Sequence, residues 1–203
     1  MKIAIAGASG RAGSRITAEL ARRGHHVTAI ARNPDQIERL AGVTAVKGDV
    51  LNQVGLARLW SGHDAAVSSV HFTASDPDKL IGAARDSKVG CYLVVGGAGS
   101  LEVAPGVRLV TTPGFPAQYK AEAEKGAAFL DLLRLQKDLN WTFLSPSALF
   151  IEGERTGKFR LGTDQLLTAS DGKSSISFED FAVALADEIE RPAHPRARFT
   201  VGY

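Results

Sequence analysis

Short apolar runs alternate along the chain with stretches in which apolar residues recur at helical spacing. The runs show little polar alternation, which is typical of strands buried on both faces of a parallel sheet. They predict strands at Lys2–Ala6, His26–Ala31, Val43–Val46, Ala65–Val70, Cys91–Val95, Trp141–Leu144 and Arg198–Val201, with a further short strand at Gln165–Ala169. The intervening stretches predict helices at Gly13–Arg23, Pro34–Leu40, Val54–Leu59, Pro77–Ser87, Ala117–Leu139 and Phe178–Ile189.

Strands and helices in this alternation form right-handed βαβ units, which place helices on both faces of one parallel sheet. The predicted fold is therefore α/β, with a Rossmann-like doubly wound parallel sheet. A length of 203 residues suits a single domain that spans residues 1–203. Ligands of such folds bind beyond the carboxyl ends of the strands, so the residues after each strand are the candidates for a site.

The composition of the chain argues against several classes of protein. The 24 basic and 22 acidic residues are mixed along the chain, which predicts no nucleic-acid or membrane surface. The single cysteine, Cys91, excludes an internal disulfide and favours a reducing, cytoplasmic location. No apolar run approaches the length of a membrane span, and the short apolar start after Met1 predicts no secretory leader. No His, Cys, Asp and Glu spacing suggests a metal site.

The glycine-rich segment Gly7–Gly13, with the sequence GASGRAG, joins the first strand to the first helix. Gly7 permits a tight turn, Gly10 allows a pyrophosphate to approach the backbone, and Gly13 allows close packing of helix and strand. The helix then offers unpaired N–H groups and a positive dipole end to phosphates. The alternative is a tight strand–helix turn without a ligand. The dinucleotide hypothesis assigns cofactor contacts to Gly7, Ala8, Ser9, Gly10, Arg11, Ala12 and Gly13.

Arg32 follows the second strand, where folds that select NAD usually carry Asp or Glu. Together with Arg11 it suits a 2′-phosphate, because a guanidinium donates paired hydrogen bonds to phosphate oxygens. The sequence thus favours NADP over NAD, and a solvated surface arginine is the alternative. Asp49 either fixes the loop near the adenine or caps the next helix. The further candidate cofactor contacts at strand ends are Asp49, Val50, Ser68, Ser69, Gly96 and Gly97.

Several short motifs resemble those of the atypical short-chain dehydrogenase/reductases. They are the glycine turn, Gly48-Asp49, Lys120 with Glu124, and the run WTFLSP at Trp141–Pro146. More narrowly, the run VGGAGSL at residues 95–101 is similar to a stretch of the NAD(P)H-binding, NmrA-like group that includes proteins described as NADH–flavin reductases. The resemblance covers nearly the whole chain. It implies that residues 147–176 and the C-terminal segment form a small substrate lobe.

The resemblance also implies a catalytic Tyr four residues before a Lys that holds the nicotinamide ribose. Lys120 matches the Lys, but Pro116 stands at the Tyr position, and Gly96-Gly97 replaces the expected Ser. A site without that proton-transfer pair suits hydride transfer to a flat acceptor such as FMN, FAD or a quinone, because the ring takes protons from solvent. Lys120 and Tyr119 are then the candidate catalytic residues. The alternative is a non-catalytic NAD(P)H sensor of the NmrA kind.

For a few residues the sequence leaves two interpretations open. His71, after the fourth strand, either lines the nicotinamide pocket and donates a proton or is an ordinary loop histidine. Three phenylalanines form either an aromatic platform for the acceptor or ordinary parts of the core or of a lid; they are Phe72, Phe115 and Phe150. Residues 152–157 predict a mobile loop that could cover the site. The expected partner is a small-molecule acceptor, and a homodimer is an option that the sequence leaves open.

Overall fold

The apolar runs of the sequence assemble into one central sheet of eight strands. The computed structural model describes residues 1–203. The strands are β1 (Lys2–Ala6), β2 (His26–Ala31), β3 (Val43–Lys47), β4 (Ala65–Ser68), β5 (Cys91–Val95), β6 (Glu102–Ala104), β7 (Val107–Arg108), β8 (Trp141–Pro146), β9 (Leu149–Ile151), β10 (Arg160–Gly162), β11 (Ser175–Ser177) and β12 (Ala197–Gly202). The helices are α1 (Arg11–Arg22), α2 (Gln53–Trp60), α3 (Pro77–Ser87), α4 (Ala117–Arg134) and α5 (Phe178–Glu190).

The strands of the central sheet follow the order β10-β12-β8-β5-β4-β1-β2-β3. All neighbouring strands are parallel except β10, which runs antiparallel to β12 at one edge. Two small sheets, β6 with β7 and β9 with β11, lie outside it. This topology confirms the predicted Rossmann-like α/β fold.

Helices cover both faces of the sheet, because alternate residues of each strand point to opposite sides. Ile3 and Ile5 of β1 belong to the core beneath α1 and α5, whereas Ala4 and Ala6 belong to the core beneath α2, α3 and α4. Each leucine that is fully buried in these cores, such as Leu20, contributes roughly 1.5–3 kcal/mol. None of the five helices combines the length and the apolarity that crossing a membrane requires.

The predicted helix at Pro34–Leu40 is wrong. Only a single 3₁₀ turn forms, at Pro34–Gln36, and Asn33 caps it by accepting a hydrogen bond from the amide of Asp35. Ile37 then adopts an extended backbone and buries its side chain against the core of α1. The extended backbone that buries Ile37 ends the helix that the spacing of apolar residues predicted.

Two other predicted boundaries also change. Helix α4 ends at Arg134 rather than at Leu139, because the chain must turn back to enter β8. The predicted strand at Gln165–Ala169 is absent, since Gln165 makes only an isolated bridge with Glu102. The edge strand is instead β10, which lies beside β12.

Candidate functional site

The glycine turn lies against the carboxyl end of β4. Gly7 has a positive φ of +84°, and a Cβ atom there would lie 2.0 Å from the carbonyl oxygen of Ser69. A Cβ atom on Gly13 would lie 2.1 Å from the carbonyl oxygen of Gly7. Both positions therefore require glycine for backbone packing. Gly10, the N-cap of α1, contributes no side-chain hydrogen bond and leaves the helix end open.

This open helix end carries amide groups that the chain does not use. The amide of Gly7 donates to the carbonyl of Ile30 at 2.9 Å, which fixes the turn on β2. The amides of Ser9, Arg11 and Ala12 contact no acceptor, and the first turn of α1 has no acidic residue. Unpaired N–H groups at the positive end of a helix dipole form a binding site for an anion such as a phosphate. The turn thus fits the pyrophosphate of a dinucleotide.

Two arginines beside this turn have no acidic partner. Arg11 begins α1, and Arg32 directly follows β2; both are exposed and form no salt bridge. Arg15, one turn further along α1, is paired with Glu152 at 2.6 Å and Glu179 at 3.0 Å. Arg11 and Arg32 are therefore free to contact the phosphate of a ligand, whereas Arg15 is committed to the protein.

The candidate residues at the ends of β3 and β4 differ in their surroundings. The hydroxyl of Ser68 lies 2.9 Å from the hydroxyl of the fully buried Tyr92, so this side chain points into the core. Asp49 accepts a hydrogen bond from the amide of Leu51 at 2.9 Å, and the cap of α2 is Asn52 instead. Val50 is half-buried against the core. Of this group, Ser69 borders the glycine turn most directly.

Gly96 and Gly97 follow β5 but have different roles. A Cβ atom on Gly96 would lie 2.2 Å from the ring of Phe143, so this glycine serves the packing of β5 on β8. Gly97 has an extended backbone, and the nearest atom to an added Cβ would be 3.9 Å away. The serine hydroxyl that catalytic relatives would carry is absent here, although position 97 has space for it.

Tyr119 and Lys120 lie in the first turn of α4, after Pro116 at the N-cap. Both side chains are exposed and have no hydrogen-bond partner, with Tyr119 62% exposed. The adjoining turn at Ala98–Ser100 supports this helix, because Gly99 lies directly against Ala123. Both candidate catalytic side chains are thus accessible to a ligand.

Glu122, which the sequence did not single out, binds the loop after β4. Its carboxylate accepts hydrogen bonds from the amides of Phe72 and Thr73 at 2.7 and 2.9 Å, and from the hydroxyl of Thr73 at 2.7 Å. It also lies 3.3 Å from Nδ1 of His71. Burial alone would raise the pKa of Glu122, but the hydrogen bonds from Thr73 and Phe72 outweigh burial and lower it.

Phe72 and Phe150 belong to the core rather than to an aromatic platform. Phe72 packs edge-on against Phe129, with ring centroids 5.8 Å apart, and is buried. Phe150 contacts Phe178 and Phe181 at centroid distances of 4.4 and 4.7 Å. Phe115 remains half-buried ahead of α4.

Residues 152–158, which we name the strap, are anchored rather than free. Glu152 pairs with Arg15, Arg155 pairs with Glu19 at 2.8 Å, and the amide of Gly157 donates to Asp180 at 2.7 Å. The expectation of a mobile loop is therefore not supported, because three separate contacts fix the strap to α1 and α5. The sequence offered no signal for these pairs, since their partners lie far apart along the chain.

Glu19 is a buried carboxylate at the strap, with only 4% of its side chain exposed. Burial alone would raise its pKa, but hydrogen bonds from Arg155, Arg22 and Arg23 outweigh burial and lower the pKa far below its ordinary value. The charged form of Glu19 is thus strongly favoured.

Comparison with known proteins agrees with this geometry. Residues 7–192 match the model of a family described as NAD(P)H-binding. The chain is 39% identical to the protein YwnB of Bacillus subtilis, across 99% of this chain and 98% of that protein. It is 36% identical to a "putative epimerase" from Bacteroides thetaiotaomicron, with a TM-score of 0.95, covering 100% of this chain and 96% of the other.

A third relative carries the name of a reductase. The crystal structure of a "putative NADH-flavin reductase" from Streptococcus pneumoniae has 36% sequence identity and a TM-score of 0.82, covering 100% of this chain and 99% of the other. The glycine turn, the sheet order and these matches lead to one assignment. The chain belongs to the NAD(P)H-binding family.

Proposed function

We propose that the protein is an NADPH-dependent reductase that transfers a hydride to a flat acceptor such as FMN, FAD or a quinone. The observation that carries the proposal is the open end of α1, where unused amides, among them those of Ser9, Arg11 and Ala12, lie beside the unpaired Arg11 and Arg32. The anionic oxygens of a dinucleotide would accept hydrogen bonds from these donors together. When bound, the nicotinamide ring supplies the hydride.

The preference for NADPH over NADH is assigned to Arg11 and Arg32. No carboxylate neutralises either guanidinium group, so both are available as positively charged partners for the additional phosphate of NADPH. A carboxylate at the end of β2 would instead accept hydrogen bonds from the ribose hydroxyls of NADH. Arg32 occupies that place, which supports the choice of NADPH.

The acceptor class is assigned from the groups that the site lacks. Reduction of a simple ketone benefits from a proton donor beside the carbonyl, yet Pro116 and Gly97 stand where such relatives carry Tyr and Ser. A flavin or quinone ring accepts a hydride and then takes a proton from water, so it depends mainly on alignment. Lys120 would hold the nicotinamide ribose, and the exposed Tyr119 would orient the acceptor. The reductase name of the Streptococcus relative supports this choice.

The direct test is steady-state oxidation of NADPH by the purified protein, with FMN, FAD, a naphthoquinone and a simple ketone as separate acceptors. We expect turnover with a ring acceptor and none above background with the ketone. Tight NADPH binding without turnover on any acceptor would instead favour the non-catalytic sensor, which the missing Tyr also fits. A protein that binds neither NADPH nor NADH would contradict both functions.

A cytoplasmic location is part of the same proposal. The single cysteine, Cys91, is half-buried, and burial raises the pKa of its thiol to about 11, so it stays protonated and unreactive. A relative from Burkholderia pseudomallei, 43% identical over the full length of both chains with a TM-score of 0.89, is described as a "putative exported protein". Fractionation of the source cells tests the location, and recovery outside the cytoplasm would refute it.

A further inference from the structure

We propose that Glu122 is a positioning residue, which holds the loop after β4 in the shape that the nicotinamide half of the cofactor requires. The proposal rests on the proposed function, because it concerns the same cofactor site. It adds a residue that neither the glycine motif nor the Tyr-Lys pattern contains.

The first step is the number of donors that one carboxylate satisfies. One oxygen of Glu122 accepts from the amide of Phe72 and faces His71, while the other accepts from both the amide and the hydroxyl of Thr73. These donors belong to a 3₁₀ turn at Phe72–Ala74, whose own N-cap, His71, supplies no side-chain cap. Glu122 is therefore the cap of this turn, supplied from a helix about 50 positions further along the chain.

The second step is that the loop is held from two sides. The ring of Phe72 packs so closely on α4 that a Cβ atom on Gly126 would lie 2.8 Å from it. At the other end of the loop, the carbonyl of Ser69 lies against the glycine turn at Gly7. The loop between these contacts has little freedom as long as Glu122 remains bonded to it.

The third step connects the loop to the proposed chemistry. Glu122 lies two residues after Lys120 on α4, so its hydrogen bonds join the helix that carries Lys120 to the loop beside the glycine turn. On the proposed function, a cofactor would extend from the glycine turn toward Lys120 and pass this junction. The position of Lys120 relative to the phosphate site therefore depends on Glu122.

A carboxylate is the only side chain of this size that satisfies all of these donors. Glutamine keeps the shape of Glu122 but presents an N–H₂ group in place of one oxygen, and that group cannot accept from whichever of Phe72 or Thr73 it faces. We therefore expect Glu122→Gln to release the loop rather than to replace the anchor. Thr73→Val removes only the hydroxyl donor and gives a milder variant.

The experiment measures binding and loop dynamics, so it does not depend on turnover. Titrate NADPH and adenosine 2′,5′-bisphosphate into the wild-type protein, Glu122→Gln and Thr73→Val, and follow amide hydrogen exchange at residues 71–73. We expect Glu122→Gln to weaken NADPH binding about tenfold, leave the bisphosphate affinity unchanged, and speed exchange at Phe72 and Thr73. Thr73→Val should change both quantities in the same direction by less.

Asp78→Asn is the matched control, because it makes the same change at an exposed carboxylate in the first turn of α3 and should alter none of these quantities. Unchanged NADPH affinity despite faster exchange would overturn the proposal, and so would equal losses for both ligands. If Glu122→Gln does not fold, Thr73→Val alone decides by the same comparison. Intact NADPH binding without turnover would count against the reductase but leave this test valid.

Discussion

The carbonyl oxygen of Gly7 stands where a side chain on Gly13 would begin, only 2.1 Å from the position of its Cβ atom. The first turn of α1 therefore packs directly on the backbone of the turn that precedes it. This contact brings the amide groups of the helix end close to the end of β1. The absence of a side chain at Gly13 therefore serves both the packing of the fold and the proposed phosphate site.

Gly13→Ala should destabilise the protein, because the backbone of Gly7 cannot move away without disturbing β1. Overpacking of this kind costs typically about 1–3 kcal/mol. Urea unfolding followed by circular dichroism measures the change. Gly114→Ala is the control, since no atom lies within 4 Å of an added Cβ there. Equal stability of the two variants would contradict the packing argument.

Arg32→Ala should weaken NADPH binding by ~10–100-fold, because a hydrogen bond to a charged group contributes about 1.5–3 kcal/mol. NADH binding should change far less, since NADH lacks the 2′-phosphate. Calorimetric titration of both cofactors makes the comparison, and Arg58→Ala serves as an exposed arginine away from the proposed site. Equal losses for NADPH and NADH would show that Arg32 does not contact the phosphate.

Lys120→Ala should lower both NADPH affinity and turnover, because the nicotinamide ribose loses its proposed hydrogen-bond donor. Adenosine 2′,5′-bisphosphate lacks the nicotinamide half, so it should bind this variant normally. Lys125→Ala removes an exposed lysine from the same helix and should leave both ligands unaffected. If Lys120→Ala behaves like Lys125→Ala, then Lys120 is an ordinary surface lysine.

Tyr119→Phe should reduce turnover with a flavin or quinone only a few-fold, because its hydroxyl would orient the acceptor without transferring a proton. General acid–base catalysis contributes typically 10²–10⁴-fold, so its loss would be unmistakable in kcat. Steady-state kinetics with ring acceptors distinguish the two cases. A collapse of turnover on that scale would make Tyr119 a displaced proton donor.

Glu19→Gln should destabilise the protein by about 1–3 kcal/mol near neutral pH, because the arginines around it lose their charge-assisted hydrogen bonds to this carboxylate. The pKa of Glu19 is lowered on folding, so its contribution is complete above its ordinary value of 4.5 and fades as pH falls through the lowered pKa. The difference between wild-type and variant unfolding should therefore shrink only in acid. Glu38→Gln, an exposed glutamate, is the control; a gap between wild type and Glu19→Gln that is independent of pH would contradict the assignment.

The sequence predicted those parts of the fold that depend on local patterns. Apolar runs located β1, β2 and β5. The spacing of Gly7 and Gly13 located the turn between β1 and α1. Interactions between distant segments were not predictable. In the sequence, Glu122 has the pattern of an ordinary residue on a helix surface. Only the fold brings it to the backbone amides of Phe72 and Thr73, and every residue type except proline carries such an amide, so the sequence does not mark them. In the same way, the burial of Ile37 overrode the helical spacing around it.

The strand order has a consequence for the direction in which an acceptor reaches the cofactor. Arg32, Gly7, Ser69 and Gly96 follow β2, β1, β4 and β5, which are successive neighbours in the sheet. With strands about 4.8 Å apart, these four ends span roughly 14 Å, so an extended dinucleotide would cross them in that sequence. Its adenosine end would then lie at β2 and its nicotinamide end toward β8. On the proposed function, the acceptor would arrive from the β8 side, and β9, which follows β8 in the chain, presents the exposed Leu149 and Ile151.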